Sequence, residues 1–236
     1  MDFLRSSIFN LFLFSWTTTI GVLFFPTAFL GTKMAVPIAR FWAYGTILML
    51  QAMCGIKLEV RGKENIKEGA AIIAAKHQSA LETIALYLAL KSPVYILKRE
   101  LVYLPVIGLF IKAVDSIMIN RNGGAATLKD MLRQVEERIK QGRQVIIFPE
   151  GTRVKAGEKG VYQSGIAAIY SKTNMDVIPV ALNTGKCWPK NSFTKKSGKA
   201  VIEFLEPIKA GLSKKDFMSA LEEKIETASQ KLFKED

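Results

Sequence analysis

The stretch AAIIAAKHQSALETIALYLAL, residues 70–90, decides the fold. Its first half is a short apolar run that ends in a charge, the pattern of a strand buried on both faces. Its second half sets Leu81, Ile84, Ala85 and Leu88 at helical spacing. Between the two lies His77, the single histidine of the chain, in the turn at the C-terminal end of the strand. A strand, a polar turn and a helix in this order form one unit of an α/β layer.

The same alternation extends to either side. KLEVRG (57–62), SPVYILK (92–98) and DSIMINR (115–121) read as strands, with the segment 99–114 as a loop. GGAATLKDMLRQVEERIKQG (123–142) reads as a helix with Leu128, Leu132, Val135 and Ile139 on one stripe and Gly142 as its stop. RQVIIFPEG (143–151), MDVIPVAL (175–182) and AVIEFLEPI (200–208) supply three more strands. A final helix over 212–233 has Ser213 as its cap, Asp216 three residues later, and Phe217, Leu221 and Ile225 on its buried side. The expected architecture is a central, mostly parallel mixed sheet flanked by helices. Functional residues then gather outside the C-terminal ends of the strands.

Composition narrows the partners. With 236 residues the chain can build one sizeable core, and a formal charge of +12 on a 49% hydrophobic sequence attracts anions. The basic loops GTRVKAGEKG and TKKSGKA lack the interleaved aromatics of a single-strand platform, which argues against nucleic acid and for an anionic membrane lipid. Residues 6–32 carry no charge, and this run of 27 is long enough to span a bilayer, although Pro26 and Gly31 can break it. A second apolar segment, FWAYGTILMLQAMCGI (41–56), is short for an upright span. Together they read as a helical hairpin for membrane association over residues 1–56, ahead of an α/β domain over 57–236. Two buried helices of a soluble core are the alternative. The first segment reads as retained rather than cleaved, because no small-residue cleavage site follows it. Cys54 and Cys187 show neither a disulfide framework nor metal spacing, so no metal or cofactor is expected.

Glu82 lies five positions after His77. On one regular helix that spacing would turn the two side chains about 140° apart. If His77 instead precedes the helix, its imidazole can fold back so that Glu82 orients one ring nitrogen and leaves the other as a base. A satisfied polar turn would use the same residues. Ser79 is close by, but no Gly-x-Ser-x-Gly elbow surrounds it. A second signal lies in IIFPEGTRVKAG: Pro149 stiffens a strand exit, Glu150 and Gly151 follow, and Arg153 presents a planar fork suited to phosphate.

The blocks KHQSALE, KRELVYLPVIG with DSIMINR, FPEGTR and VIPVALNTG, in this order, resemble the glycerolipid acyltransferases, specifically the bacterial 1-acyl-sn-glycerol-3-phosphate acyltransferases, over about residues 57–190. The resemblance implies that His77 is the general base and Glu82 its partner, in place of the family's usual aspartate. It also implies that Lys98, Arg121, Glu150, Gly151, Thr152 and Arg153 form the substrate-binding group, and that Pro179 shapes the cleft. A glycine that usually precedes the IMINR block is replaced around Asp115. The implied reaction moves a fatty acyl group from acyl-carrier protein or acyl-coenzyme A, as donor substrate, to lysophosphatidate at the cytoplasmic face of a bacterial inner membrane. A different lyso-lipid acceptor, such as lyso-ornithine lipid, and a noncatalytic lipid-binding protein are the rival readings.

Overall fold

In the computed structural model, residues 1–104, 106–120 and 123–235 are described. Arg121, assigned above to the substrate-binding group, therefore lies outside the described residues. Seven strands form one sheet: β1 (Ile56–Arg61), β2 (Ala71–Ala75), β3 (Pro93–Lys98), β4 (Ile117–Ile119), β5 (Gln144–Ile147), β6 (Val177–Leu182) and β7 (Gly198–Phe204). Their order is β1-β7-β6-β2-β5-β3-β4. Every pairing is parallel except β6 with β7. The sheet is thus mixed and mostly parallel, as the sequence predicts.

Helices cover both faces, which is why the central strands carry apolar residues on both sides. On one face Ile73, Ala75, Ile146 and Val180 join Leu86 and Leu90 of α3 (Leu81–Ala89 and its last-turn neighbour). On the other, Ile72, Ala74, Val145 and Val177 meet α5 (Gly124–Lys140), α6 (Gly165–Thr173) and α7 (Lys214–Lys234). The Ser213 hydroxyl accepts the Asp216 N–H at 3.1 Å and caps α7, whose Phe217, Leu221 and Ile225 are buried. In α5 Leu132, Val135 and Ile139 of the expected stripe pack on the core, joined by the buried Met131, while Leu128 is 37% exposed. The segment expected as a loop contains a 3-10 turn, Arg99–Tyr103, and a short helix, α4 (Ile107–Ala113).

The first helix, α1 (Asp2–Leu23), ends before a 3-10 turn, Phe25–Phe29, that has Pro26 in its first positions, and Gly31 at φ 78° starts α2 (Thr32–Cys54). The second helix is longer than its apolar segment because it begins nine residues earlier. The pair is locked by Trp16 Nε1–H to the Trp42 carbonyl at 3.1 Å and by Trp42 Nε1–H to Thr17 Oγ1 at 3.0 Å. Gly45 admits Trp16, since a Cβ there would stand 2.6 Å from the indole. Phe9 is fully buried against Trp188, and Arg40 donates to the carbonyls of Leu90 and Lys91, so both helices dock on the sheet domain. Phe3, Leu4, Leu11, Phe14, Phe25, Phe29, Phe41 and Tyr44 remain exposed. So continuous an apolar face suits a membrane surface.

Asp115 has φ 66°, the left-handed conformation that a glycine takes most readily. It stays there because its carboxylate bonds Arg138 at 2.7 Å and its carbonyl accepts from the same guanidinium at 3.3 Å. Replacement by alanine removes the ion pair and keeps the strained backbone, whereas glycine removes both. Chemical denaturation should therefore find Asp115→Ala less stable than Asp115→Gly by about 1 kcal/mol, and both less stable than wild type. Equal losses would show that the backbone conformation contributes nothing at this position.

Candidate active site

The site grows from the C-terminal ends of β2 and β5, neighbours paired through Ala74 and Ile147. Chain direction alone brings the residues after each strand to one edge of the sheet. His77 leaves β2 two residues past its end and precedes α3, so Glu82 sits in the first turn of that helix. From there its carboxylate reaches back to backbone amides that precede the helix, whose N-cap is Ala80. Glu82 Oε1 accepts the N–H of Gln78 at 2.8 Å and of Ser79 at 2.6 Å, and lies 2.8 Å from His77 Nδ1. Its other oxygen accepts the Thr184 hydroxyl at 2.6 Å.

Glu82 is fully buried, and an ionised carboxylate in that position needs this many donors. As an acceptor-only group it requires His77 Nδ1 to carry the hydrogen, which leaves Nε2 with the lone pair. The imidazole stacks on Phe148 with ring centroids 4.0 Å apart, and its side chain is 15% exposed. Part of the side chain therefore meets solvent while the Nδ1 edge of the ring is held. Ser79 is not paired with it: that hydroxyl is buried and accepts the Leu81 N–H at 3.1 Å.

A second carboxylate holds the backbone. Glu150 Oε2 accepts the His77 N–H at 2.8 Å, and the Val154 N–H donates to the His77 carbonyl at 2.7 Å. Both ends of the histidine residue are thus tied to the loop after β5. Gly151 takes φ 67°, which turns that loop sharply after Pro149. Burial pushes the Glu150 carboxyl above its ordinary range, against the opposing pull of the Lys76 ammonium and the His77 amide. Lys76 Nζ stands 3.0 Å from Glu150 Oε1.

The predicted residues are brought together unequally. His77, Glu82, Glu150 and Gly151 form one bonded cluster, and Arg153, half-buried, adjoins it through Val154. Thr152 is exposed on the same loop. Lys98 is the exposed last residue of β3, which lies parallel to β5, so it reaches the same edge without bonding the cluster. Neither Lys98 nor Arg153 has a carboxylate partner among the described residues. Sequence reasoning missed Lys76, Thr184, Tyr162 and Glu226. A lysine between a buried strand and the histidine is itself a signal, because a buried ammonium demands a carboxylate. Among the described residues no group of three or more His, Cys, Asp and Glu is placed to hold a metal ion.

Residues 57–183, more than half of the chain, match the family model described as Acyltransferase. A 1-acyl-sn-glycerol-3-phosphate acyltransferase of Pseudomonas aeruginosa is 37% identical over 161 residues, which is 68% of this chain and 63% of that protein. One of the same name from Borreliella burgdorferi is 30% identical over 159 residues, 66% of this chain and 63% of its own length. The chain thus aligns with a little under two thirds of these relatives. The crystal structure of the 1-acyl-sn-glycerophosphate acyltransferase of Thermotoga maritima superposes with a TM-score of 0.81 at 21% identity, covering 100% of this chain and 97% of that one, and so shares the fold. Taken with the matched span, which runs from β1 through the histidine turn and the FPEGTR loop to the end of β6, these likenesses show that the chain belongs to the acyltransferase family.

Proposed function

We propose that this protein transfers a fatty acyl group from acyl-carrier protein or acyl-coenzyme A to the sn-2 hydroxyl of 1-acyl-sn-glycerol 3-phosphate, forming phosphatidate. The observation that carries the reading is a histidine oriented by a buried carboxylate, with no nucleophilic side chain of the described residues bonded to its second nitrogen. A base of this kind needs an external hydroxyl, which the acceptor lipid supplies. His77 Nε2 takes the proton of that hydroxyl as its oxygen bonds to the thioester carbonyl carbon. The C–S bond then breaks, and the departing thiolate recovers the proton from the imidazolium. Glu82 holds the ring in the required tautomer and faces the positive charge while it exists.

The acceptor combines a phosphomonoester with an acyl tail. Arg153 and Lys98, without carboxylate partners among the described residues, provide cations at the mouth of the site, and Arg121 is assigned to the same task. The relatives' names, 1-acyl-sn-glycerol-3-phosphate acyltransferase, support this acceptor. Among the described residues one helix, Asp2–Leu23, is long and apolar enough to cross a membrane, and the exposed aromatic face of α1 and α2 would keep the site at the bilayer surface where the acceptor resides. We place that surface at the cytoplasmic face of a bacterial inner membrane, where anionic lipids meet the excess positive charge.

Purified full-length protein in detergent, given palmitoyl thioesters of both carriers with lysophosphatidate, should form phosphatidate, and His77→Ala should lower kcat by about 10³-fold. Product from lyso-ornithine lipid alone would change the acceptor, and no product from folded wild type would overturn the enzyme reading. Glu82→Asp keeps the charge but withdraws it by one methylene from four donors, so kcat should fall about 10-fold or more. For Arg153→Ala the expected change is a rise of about 10-fold in KM for lysophosphatidate with a smaller change in kcat. An unaltered KM would remove Arg153 from the phosphate site.

A further inference from the structure

Beneath the histidine lies a charged group that the acyl-transfer scheme does not use. Lys76 is 1% exposed, and its ammonium reaches two carboxylates: Glu150 Oε1 at 3.0 Å, and both oxygens of Glu226 at 2.7 and 2.9 Å. Glu226 belongs to α7, 150 residues away in the chain, and accepts the Tyr162 hydroxyl at 3.0 Å. Burial and the neighbouring carboxylates raise the Tyr162 phenol far above its ordinary range, so it stays a donor.

One carboxylate would already neutralise the lysine. The second adds negative charge to a buried place, which costs free energy unless it does something else. A lysine ammonium is a point charge on a flexible stem, and a single partner leaves its position loose. Chelation by both oxygens of Glu226 fixes Nζ. The fixed ammonium then directs Glu150 Oε1 inward and leaves Oε2 facing the His77 N–H. Lys76 also ends the ladder between β2 and β6, its own N–H bonding the Val180 carbonyl at 3.0 Å, so His77 is the first residue that this ladder does not hold. Gly160 makes the room, since a Cβ there would stand 2.7 Å from Glu150 Oε1.

We propose that Glu226, steadied by Tyr162, is a positioning residue for acyl transfer: it acts through Lys76 and Glu150 to hold the His77 peptide, and with it the imidazole, in the reacting geometry. The role in turnover rests on the function proposed above, while the linkage itself does not. Small displacements of a base cost large factors in rate, so the effect should fall on kcat and spare the acceptor's KM.

His77 is the only histidine, so full-length protein labelled with 15N-histidine gives one backbone amide signal to follow. Glu226→Gln should move that amide proton upfield as its bond to Glu150 loosens, and should lower kcat about 10-fold with KM for lysophosphatidate within about 2-fold. Tyr162→Phe, which removes only a hydroxyl, should move both in the same direction by less, and it carries the test if Glu226→Gln does not fold. A folded variant with wild-type kcat overturns the inference. So does a fall in kcat with an unmoved amide, or a rise in KM of the same size. If wild type transfers no acyl group, the proposed function fails, and the amide signal alone decides whether Glu226 positions His77.

Discussion

A carboxylate taken out of water must be surrounded by donors or neutralised. Two carboxylates meet that demand around one residue. Glu82 collects two backbone amides, a threonine hydroxyl and the histidine ring, and Glu150 collects an ammonium and the histidine amide. Each satisfies its own burial by immobilising part of His77, the first its side chain and the second its main chain. The structural need of the buried charges and the orientation that the base role proposed for His77 requires are met by the same bonds.

The sheet makes this convergence possible. Because β2, β5 and β3 run parallel, the segments that leave them emerge at one edge. The interiors of β2 and β5 are apolar on both faces, so polar residues are kept to the strand ends. The antiparallel β7 lies on the far side of β6 and does not disturb that edge. Aromatic stacking extends the order inward: Phe148 lies between the His77 ring and Tyr95, whose hydroxyl donates to the Thr83 carbonyl of α3 at 2.6 Å. The ring of His77 thus rests on a column attached to the helix that carries Glu82.

Most of the sheet was legible in the sequence because double-sided burial leaves uninterrupted apolar runs. VIPVAL and QVII read as strands without any knowledge of their neighbours. The helices α4 and α6 were not: α3, no longer than α6, was read because it follows a buried strand and its turn directly, whereas α4 and α6 are set off from the preceding strands by longer segments. The exposure of Leu128 in α5 was not legible either: it fits the helical spacing, but it stands one turn ahead of Met131 and Leu132, where the packed core begins. In the site, residues tied by short-range geometry were visible, such as His77 with Glu82 and the run from Glu150 to Arg153. Lys76, Thr184 and Glu226 come together across 74 to 150 positions, and no local pattern records such a meeting.

The docking of the first two helices has a consequence for how the chain is made. The backbone N–H of Lys195 donates to the Ser6 hydroxyl across 189 positions, and Lys195 Nζ lies over the rings of Phe9 and Trp188. The strand that follows α2, β1, pairs only with β7 at the edge of the sheet. During synthesis α1 and α2 therefore appear well before Trp188, Lys195 and β7, the most distant of the residues they depend on. β1 cannot take its place in the sheet, nor α1 its contact with Lys195, until that late stretch has been made. One stretch, from Trp188 to Phe204, thus completes both the edge of the sheet and the seat of the first helix.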